Sequence, residues 1–543
     1  MRMLNLSLRT LAILLLASAC LSAQNFSIIL GRPTDRSITA AVNFIRPAEY
    51  YLEYGTLSGM YSMQTPATAI KAGESIKTDI TGLTSNTRYV YRLRYRDNGS
   101  STFEASPEYS FRTQRARGES FTFLVEADEH LYDKKGIPAM YKIAIENMKK
   151  DSADFMLSLG DTFGDDHTPT TTTSQDMDEL HRDYLQYLGS ICHSVPFFFC
   201  LGNHEGETGY YLKQNAPNNI AVWGTIWRKY YYPNPFPNGF YTGNMTREPN
   251  GIDYPENYYA FEWGDALFVV LDVYRDCDVN EKPQNWDWTL GETQYRFLRN
   301  ALEKSNAKYK FVFAHHTRGQ GRGGVVTAKG AEWGGYNNKG TYEFDKFRPG
   351  WGLPIHQLMV NNGVNIFFQG HDHLYAKEEL DGLVYQETPM PSDSTYEIGV
   401  LANADAYTDV TMRGTGHLRV KVSDAGVVVD FVRAYMPKDT VGGANTNGSV
   451  GYSYTVKQRP VSVDDEAPAG ETVIAPNPAR ESLNILAPTT SSVDVTISNV
   501  LGQIVLRSSA TSIDVSTLPH GLYDVVATID GAPTRQTILI GGR

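Results

Sequence analysis

Residues able to hold a metal or move a proton follow five short apolar runs along this chain, each time in the same format. Residues 121–125 lead to Asp128 and His130, residues 155–159 to Gly160-Asp161, and residues 197–201 to Gly202-Asn203-His204-Glu205. Residues 311–314 lead to His315-His316, and residues 365–369 to Gly370-His371-Asp372-His373. A short apolar run closed by glycine reads as a buried strand entering a tight turn, where backbone can approach a ligand closely. Residues two apart in extended chain project to one side, so His371 and His373 can serve a single ion or one each of two neighbouring ions. Taken alone, Gly-His-X-His is equally a polar turn after a strand, because short motifs recur by accident. Five such runs in order carry far more weight. As neighbouring strands of one sheet, their C-terminal ends collect Asp, His, Asp, Asn, His, His and His in a crevice, where open α/β sheets bind ligands. Carboxylate, amide and imidazole together suit borderline divalent cations, manganese, iron or zinc, better than calcium.

For those ends to meet, the runs must be strands joined by helices. Between about 119 and 435 apolar runs alternate with helical patterns, as in residues 137–148 and 293–302, which favours an α/β layered domain. Two stretches break the rhythm, 209–263 and 318–351, rich in Tyr, Pro, Asn or Gly. Both are expected to wall the crevice as lids or to be plain surface excursions. Residues 25–115 alternate with period two between turn signals and are expected to form a β-sandwich with a structural role. Residues 436–471 read as a polar linker with a possible last strand at 452–456, and residues 472–543 return to short strands.

A chain of 543 residues is expected to hold three or so domains. With 61 acidic against 49 basic residues it is not a general nucleic-acid or anionic-membrane binder. A phosphate substrate stays open, since bound divalent cations would dominate the local field. Arg2 and Arg9 precede an apolar stretch at 11–17, and Leu21-Ser22-Ala23 precedes Gln24, so residues 1–23 read as an export signal too short to remain as a membrane span. Ala17-Ser18-Ala19-Cys20 offers a lipoprotein signal as the second reading. No transmembrane helix is expected in the mature chain. Cys192, Cys200 and Cys277 are then an odd number in an oxidising compartment: one disulfide plus one free thiol is allowed, with no pair selected, and a structural zinc site is not suggested.

With all five motifs in view, the central region resembles the calcineurin-like metallophosphoesterases, which have Asp-X-His, Gly-Asp, Gly-Asn-His-Glu, a His after a strand and Gly-His-X-His in this order. The resemblance implies a four-layer α/β/β/α sandwich. It also implies two metals, one held by Asp128, His130, Asp161 and His373, the other by Asp161, Asn203, His315 and His371, with Asp161 as bridge. Residues 25–115, through Leu83-Thr-Ser-Asn-Thr-Arg-Tyr-Val-Tyr, resemble the fibronectin type III-like domain that precedes the catalytic domain in purple acid phosphatases. Asn477-Pro478, Leu483-Asn-Ile, Leu501-Gly502-Gln503 and Leu518-Pro-His-Gly-Leu-Tyr resemble the C-terminal sorting domain of type IX secretion. That implies export through the periplasm, removal of this domain, and release or surface attachment; a small β-sandwich binding module is the alternative.

The resemblance makes His204 a stabiliser of phosphoryl charge or a proton donor to the leaving oxygen, not a ligand. Glu205 can orient His204 or cap a local helix. Of His315 and His316, adjacent on a strand, one reaches the metals, and the family pattern selects His315. Arg318 can bind a substrate phosphate as a planar fork or lie solvated on the surface. His167, His181, His193, His356, His417 and His520 read as ordinary residues. Purple acid phosphatases place a metal-ligating Tyr three residues after the bridging Asp, where this chain has Gly164, and lack a His at the position of His130. Iron-tyrosinate chemistry and an acid optimum are therefore not expected to follow from the resemblance. The expected function is a secreted or surface-attached phosphoesterase acting by attack of a metal-activated hydroxide, a phosphomonoesterase before a phosphodiesterase or nucleotide hydrolase. An inactive surface adhesin is the reading from another class.

Overall fold

The computed structural model describes residues 25–164, 168–317, 322–398, 404–458, 473–475, 479, 481–486, 492–499, 503–519, 521–529 and 532–540. The export signal, Cys20, Asn477-Pro478, Leu501-Gly502, His167, His520 and Arg318 lie outside these residues.

Two sheets face each other at the centre. One is nine-stranded and includes the strands Phe121–Glu126, Phe155–Ser158 and Phe197–Phe199 side by side and parallel. The other is eight-stranded, with Ala266–Val270, Tyr309–Phe313, Ile366–Gln369 and Leu383–Glu387 in parallel register. The apolar runs are continuous because both faces of these strands are covered. Phe123, Phe155, Leu157, Phe198, Phe268, Phe311, Phe313 and Phe368 point between the sheets. Their alternates Leu124, Met156, Phe197, Phe199, Val269, Val312 and Phe367 point outward into the core that the helices share. Rings stack between neighbouring strands of each sheet, Phe123 on Phe155 at 5.6 Å and Phe313 on Phe368 at 4.9 Å; such pairs contribute roughly 0.5–1.5 kcal/mol beyond their buried area.

Helices complete the outer layers. Pro138–Met148 opens on a proline, whose missing N–H costs nothing in a first turn, and buries Met140, Tyr141, Ala144, Ile145 and Met148. Gly291–Lys304 buries Tyr295, Leu298 and Leu302 on one stripe. The result is the α/β/β/α sandwich. Within the described residues no helix is long and apolar enough to cross a membrane.

The N-terminal strands form a β-sandwich around Ile28, Leu30, Val42, Tyr50, Leu52, Tyr91 and Leu93. Its strand Phe26–Gly31 pairs parallel with Phe197–Phe199 at Gly31, so its first sheet extends the central one. Gly31 is required there, since a Cβ would lie 2.2 Å from the Pro233 carbonyl oxygen. At the other edge Val450–Val456 pairs with Gly426–Ala434. Residues 473–540 form a separate unit, a three-stranded and a four-stranded sheet around Leu483, Ile485, Val495, Ile497, Val525 and Ile538.

The structure revises the expectation for 209–263. It holds the helix Ile220–Tyr231, whose inward face carries Arg228, fully buried against Glu207 at 2.7 Å. A buried Arg among Trp and Tyr hides the apolar stripe by which helices are recognised. Cys192, Cys200 and Cys277 are all free and buried, so the disulfide allowed by the sequence is not formed.

His181, on the helix Ser174–Asp183, stacks on Phe163 with ring centroids 4.7 Å apart and donates from Nδ1 to the Met177 carbonyl at 2.7 Å. Burial pushes its imidazole down to about 4. Between pH 6.5 and 4 the unfolded chain therefore binds a proton that the folded chain refuses, and stability falls with pH across that window by up to about 3 kcal/mol. His181→Phe keeps the stacking without the titration. Its Tm, followed from pH 7 to pH 4, is expected to fall less than that of the wild type; parallel curves would contradict the assignment.

Candidate metal centre and active site

The five motif turns converge at the C-terminal ends of the central strands. Asp128, His130, Asp161, His371 and His373 all adopt left-handed backbone, with φ of 62°, 46°, 58°, 78° and 59°. Such conformations cost of order 1–3 kcal/mol each and gather where function over-determines them. The Gly-Asp and Gly-Asn-His-Glu turns touch backbone to backbone: a Cβ on Gly160 would lie 2.2 Å from the Gly202 nitrogen, and one on Gly202 would lie 2.3 Å from Asp161 Oδ1.

Side chains then overlap in three groups whose ligand atoms lie within 4.8 Å of one another: Asp128, His130 and His373; His130, Asp161 and His204; Asp161, His315 and His371. Asp161 Oδ2 is 3.3 Å from His315 Nε2, 3.6 Å from His130 Nε2 and 3.8 Å from His204 Nε2. His373 Nε2 is 3.5 Å from Asp128 Oδ1 and 3.1 Å from His130 Nε2. Burial alone would raise the Asp161 carboxyl, but His315, His204 and His130 hold it well below the usual range. Burial likewise opposes the charged form of His315, yet Asp161 and Asp128 carry it up to about 9.

His315, Asp128 and Asp161 are each aimed by a bond on the far side. His315 Nδ1 donates to the Leu159 carbonyl at 2.9 Å, which leaves Nε2 directed at Asp161. Asp128 Oδ2 accepts the His371 N–H at 2.8 Å, and Asp161 Oδ1 accepts the His204 N–H at 2.9 Å. Three buried atoms that face one another in the cluster have no hydrogen bond, Asp128 Oδ1, Asp161 Oδ2 and His315 Nε2, and Asn203 Oδ1 and His373 Nδ1 in the same turns are likewise buried and unbonded.

His316 lies beside the same group, its ring 4.3 Å from that of His371 and against Tyr274 and Trp288. Asn203 lines a small cleft of about 30 Å³ with Tyr211, Tyr274 and Trp288. Glu205 does not reach His204. Its two oxygens accept four backbone N–H groups, those of Gly202 at 2.6 Å, Asp161 at 3.0 Å, Thr162 at 2.7 Å and Phe163 at 3.0 Å. It holds the Asp161 turn in shape.

Several contributors left no mark in the sequence. Tyr132 Oη lies 3.0 Å from His130 Nδ1, and Asp133 Oδ2 lies 3.1 Å from it. The Tyr132 ring also fills the space over Gly164, where a Cβ would come within 2.4 Å of His204 Cβ and 2.7 Å of that ring. No tyrosine can therefore sit at 164 without displacing His204. Arg322, inside the second irregular stretch, donates to the His371 carbonyl at 2.8 Å and to Asp372 Oδ1 at 2.9 Å, while Tyr407 donates to Asp372 Oδ2 at 2.7 Å. These contacts brace the Gly-His-X-His turn, and nothing in the local spacing of Tyr407 pointed to one.

Residues 121–375 match the family model of calcineurin-like phosphoesterases. Match and site agree on the class: this part of the chain is a metallophosphoesterase domain, and the protein is a hydrolase acting on phosphoric ester bonds. Residues 473–541 match the secretion system C-terminal sorting domain, so the enzyme carries the tail of an exported or surface-attached type IX substrate. Two solved structures share the fold. PhoD aligns with a TM-score of 0.55 at 15% identity, covering 80% of this chain and 90% of that one. Purple acid phosphatase PPD1 from yellow lupin (Lupinus luteus) seeds aligns with a TM-score of 0.53 at 16% identity, covering 79% and 74%. No curated protein sequence matches the chain.

Proposed function

We propose that the crevice hydrolyses phosphate monoesters with two divalent cations, iron, manganese or zinc. Asp128, His130, Asp161 and His373 would hold one, and Asp161, Asn203, His315 and His371 the other. One observation carries this reading: Asp128 Oδ1, Asp161 Oδ2 and His315 Nε2, buried without a hydrogen bond where the motif turns meet. Leaving such atoms unsatisfied costs roughly 1–3 kcal/mol each, and carboxylate, amide and imidazole are the donors that borderline cations take. When bound, paired cations would neutralise phosphoryl charge and acidify water. His204 is the most open imidazole of the cluster, 16% exposed against none for His130 and His315, and is suited to meet a substrate oxygen. It would protonate the leaving oxygen or steady phosphoryl charge. Arg318 stays a candidate for a substrate phosphate.

The monoester preference draws on the purple acid phosphatase among the structural neighbours. Turnover of para-nitrophenyl phosphate against its bis ester tests it. The monoester is expected to lead in kcat/KM by at least about tenfold, or about 1.4 kcal/mol. A lead for the diester would make the enzyme a phosphodiesterase on the same residues. In the same reading, residues 25–115 are a fibronectin type III-like support for the catalytic domain at 119–435. Residues 1–23 and 472–543 serve export through the periplasm and type IX recognition in turn; of the 436–471 stretch, Val450–Val456 is the last strand of the central sheet and the residues after it link to the sorting domain.

A further inference from the structure

The N-terminal ends of the central strands hold a second concentration of charge, of opposite sign to the protein's net charge of -12. A cleft of about 430 Å³ opens there, lined by Arg88, Arg112, Arg115, Lys149, Ser152 and Ser194. Arg115 precedes the strand Phe121–Glu126, residues 149–152 precede Phe155–Ser158, and Ser194 precedes Phe197–Phe199. The metal cluster follows the other ends of the same three strands. At about 3.3 Å per residue, the cleft and the cluster are separated by the length of these strands, at their opposite ends, so the cleft is no extension of the catalytic crevice.

Arg88 and Arg112 stand directly opposite each other on the antiparallel strands Arg88–Asp97 and Tyr109–Arg112. Like charges so placed are destabilising. Neither guanidinium has a hydrogen bond or an ion pair with any described residue, although Arg112 is partly buried. Burial, with Arg115 and Arg88 beside it, disfavours the charged form of Arg112, and Asp154 and Glu119 offset only part of this. The acids nearby are already engaged. Asp154 is gripped by Arg115 through two bonds of 2.6 and 2.9 Å and accepts the Trp263 Nε1–H at 3.0 Å. Lys149 pairs with Glu146 at 2.5 Å, and Glu119 stands 4.0 Å from Arg115. Two guanidinium forks without a bonded partner therefore line the cleft beside a third Arg, a Lys and serine hydroxyls, and the acid that shares the lining, Asp154, is held by Arg115. That donor set matches the oxygens of a tetrahedral dianion.

We propose that this cleft is a binding site for a phosphate-type oxyanion, separate from the metal cluster. It is reached through the β-sandwich and catalytic layer together, since Arg88 and Arg112 come from the first and Lys149, Ser152 and Ser194 from the second. The assignment is independent of the substrate preference proposed for the crevice. Free orthophosphate and the terminal phosphoryl group of a lipid present the same chemistry.

The test uses the full chain in chelator, titrated with orthophosphate and followed by calorimetry and Tm. Saturable binding with a Tm rise of a few degrees is expected for the wild type. Arg88→Gln/Arg112→Gln is expected to weaken binding at least about tenfold, the loss of a charge-assisted contact, while hydrolysis by the metal-loaded variant stays at the wild-type level and shows that it folds. Sedimentation with phosphatidic acid vesicles is the second arm; Arg-dependent binding there without binding of the free ion assigns the cleft to a lipid phosphoryl group. No orthophosphate or vesicle binding by the wild type, or equal binding by the double variant, overturns the site.

Discussion

Asp161→Asn is expected to abolish phosphoester hydrolysis, by about 10³-fold or more, and to strip the purified protein of most of its divalent metal. The substitution is nearly isosteric. The amide oxygen can still accept the His204 N–H that Oδ1 accepts at 2.9 Å, so the turn keeps its shape. What disappears is the charge on Oδ2, the atom that three imidazoles approach within 3.3–3.8 Å and that has no hydrogen bond of its own. Asp161 belongs to two of the three ligand groups, so its loss weakens both proposed metal positions. Elemental analysis and a rate assay read the two effects together. An Asn variant that kept two metals and its activity would remove Asp161 from the bridge.

His204→Asn is expected to lower kcat by about 10²–10⁴-fold with metal content unchanged. The contact that ties residue 204 to Asp161 is made by its backbone N–H, which the variant retains. The side chain is the one imidazole of its group open to solvent, whereas His130 is fully enclosed. If it protonates the leaving oxygen, an alkyl phosphate must suffer more than para-nitrophenyl phosphate, whose leaving group needs no proton. Equal losses on both substrates would favour charge stabilisation over proton donation. Loss of metal in this variant would instead make His204 a ligand, as its place beside Asp161 and His130 allows.

How much of this was legible beforehand differs residue by residue. The strand runs and their terminal Asp, Asn and His were visible because a parallel strand buried on both faces must be apolar throughout, and ligand turns must begin where it ends. The helix Ile220–Tyr231 was not visible. Arg228 lies on its buried face, neutralised by Glu207 from a distant turn, and a paired charge reads as a polar position in sequence. Glu205 was placed in the right turn with the wrong task, because four N–H groups from two loops converge on it only after Gly160 and Gly202 have packed together. Tyr132 and Tyr407 carried no signal, since a tyrosine hydroxyl acts on whatever the fold brings to it.

By itself the sequence determined the order of strands and turns, the chemical type of every candidate ligand, and the β-rich character of both flanks, since these follow from local periodicity and residue chemistry. Only the tertiary structure decided which groups meet. It set His130 against His373 across 243 positions of chain, left Asp128 Oδ1, Asp161 Oδ2 and His315 Nε2 buried together without a hydrogen bond, gave the space over Gly164 to Tyr132, and joined the N-terminal sandwich to the central sheet at Gly31. Those are long-range contacts, selected by how two sheets close over a shared aromatic interior, and no window of sequence contains both partners.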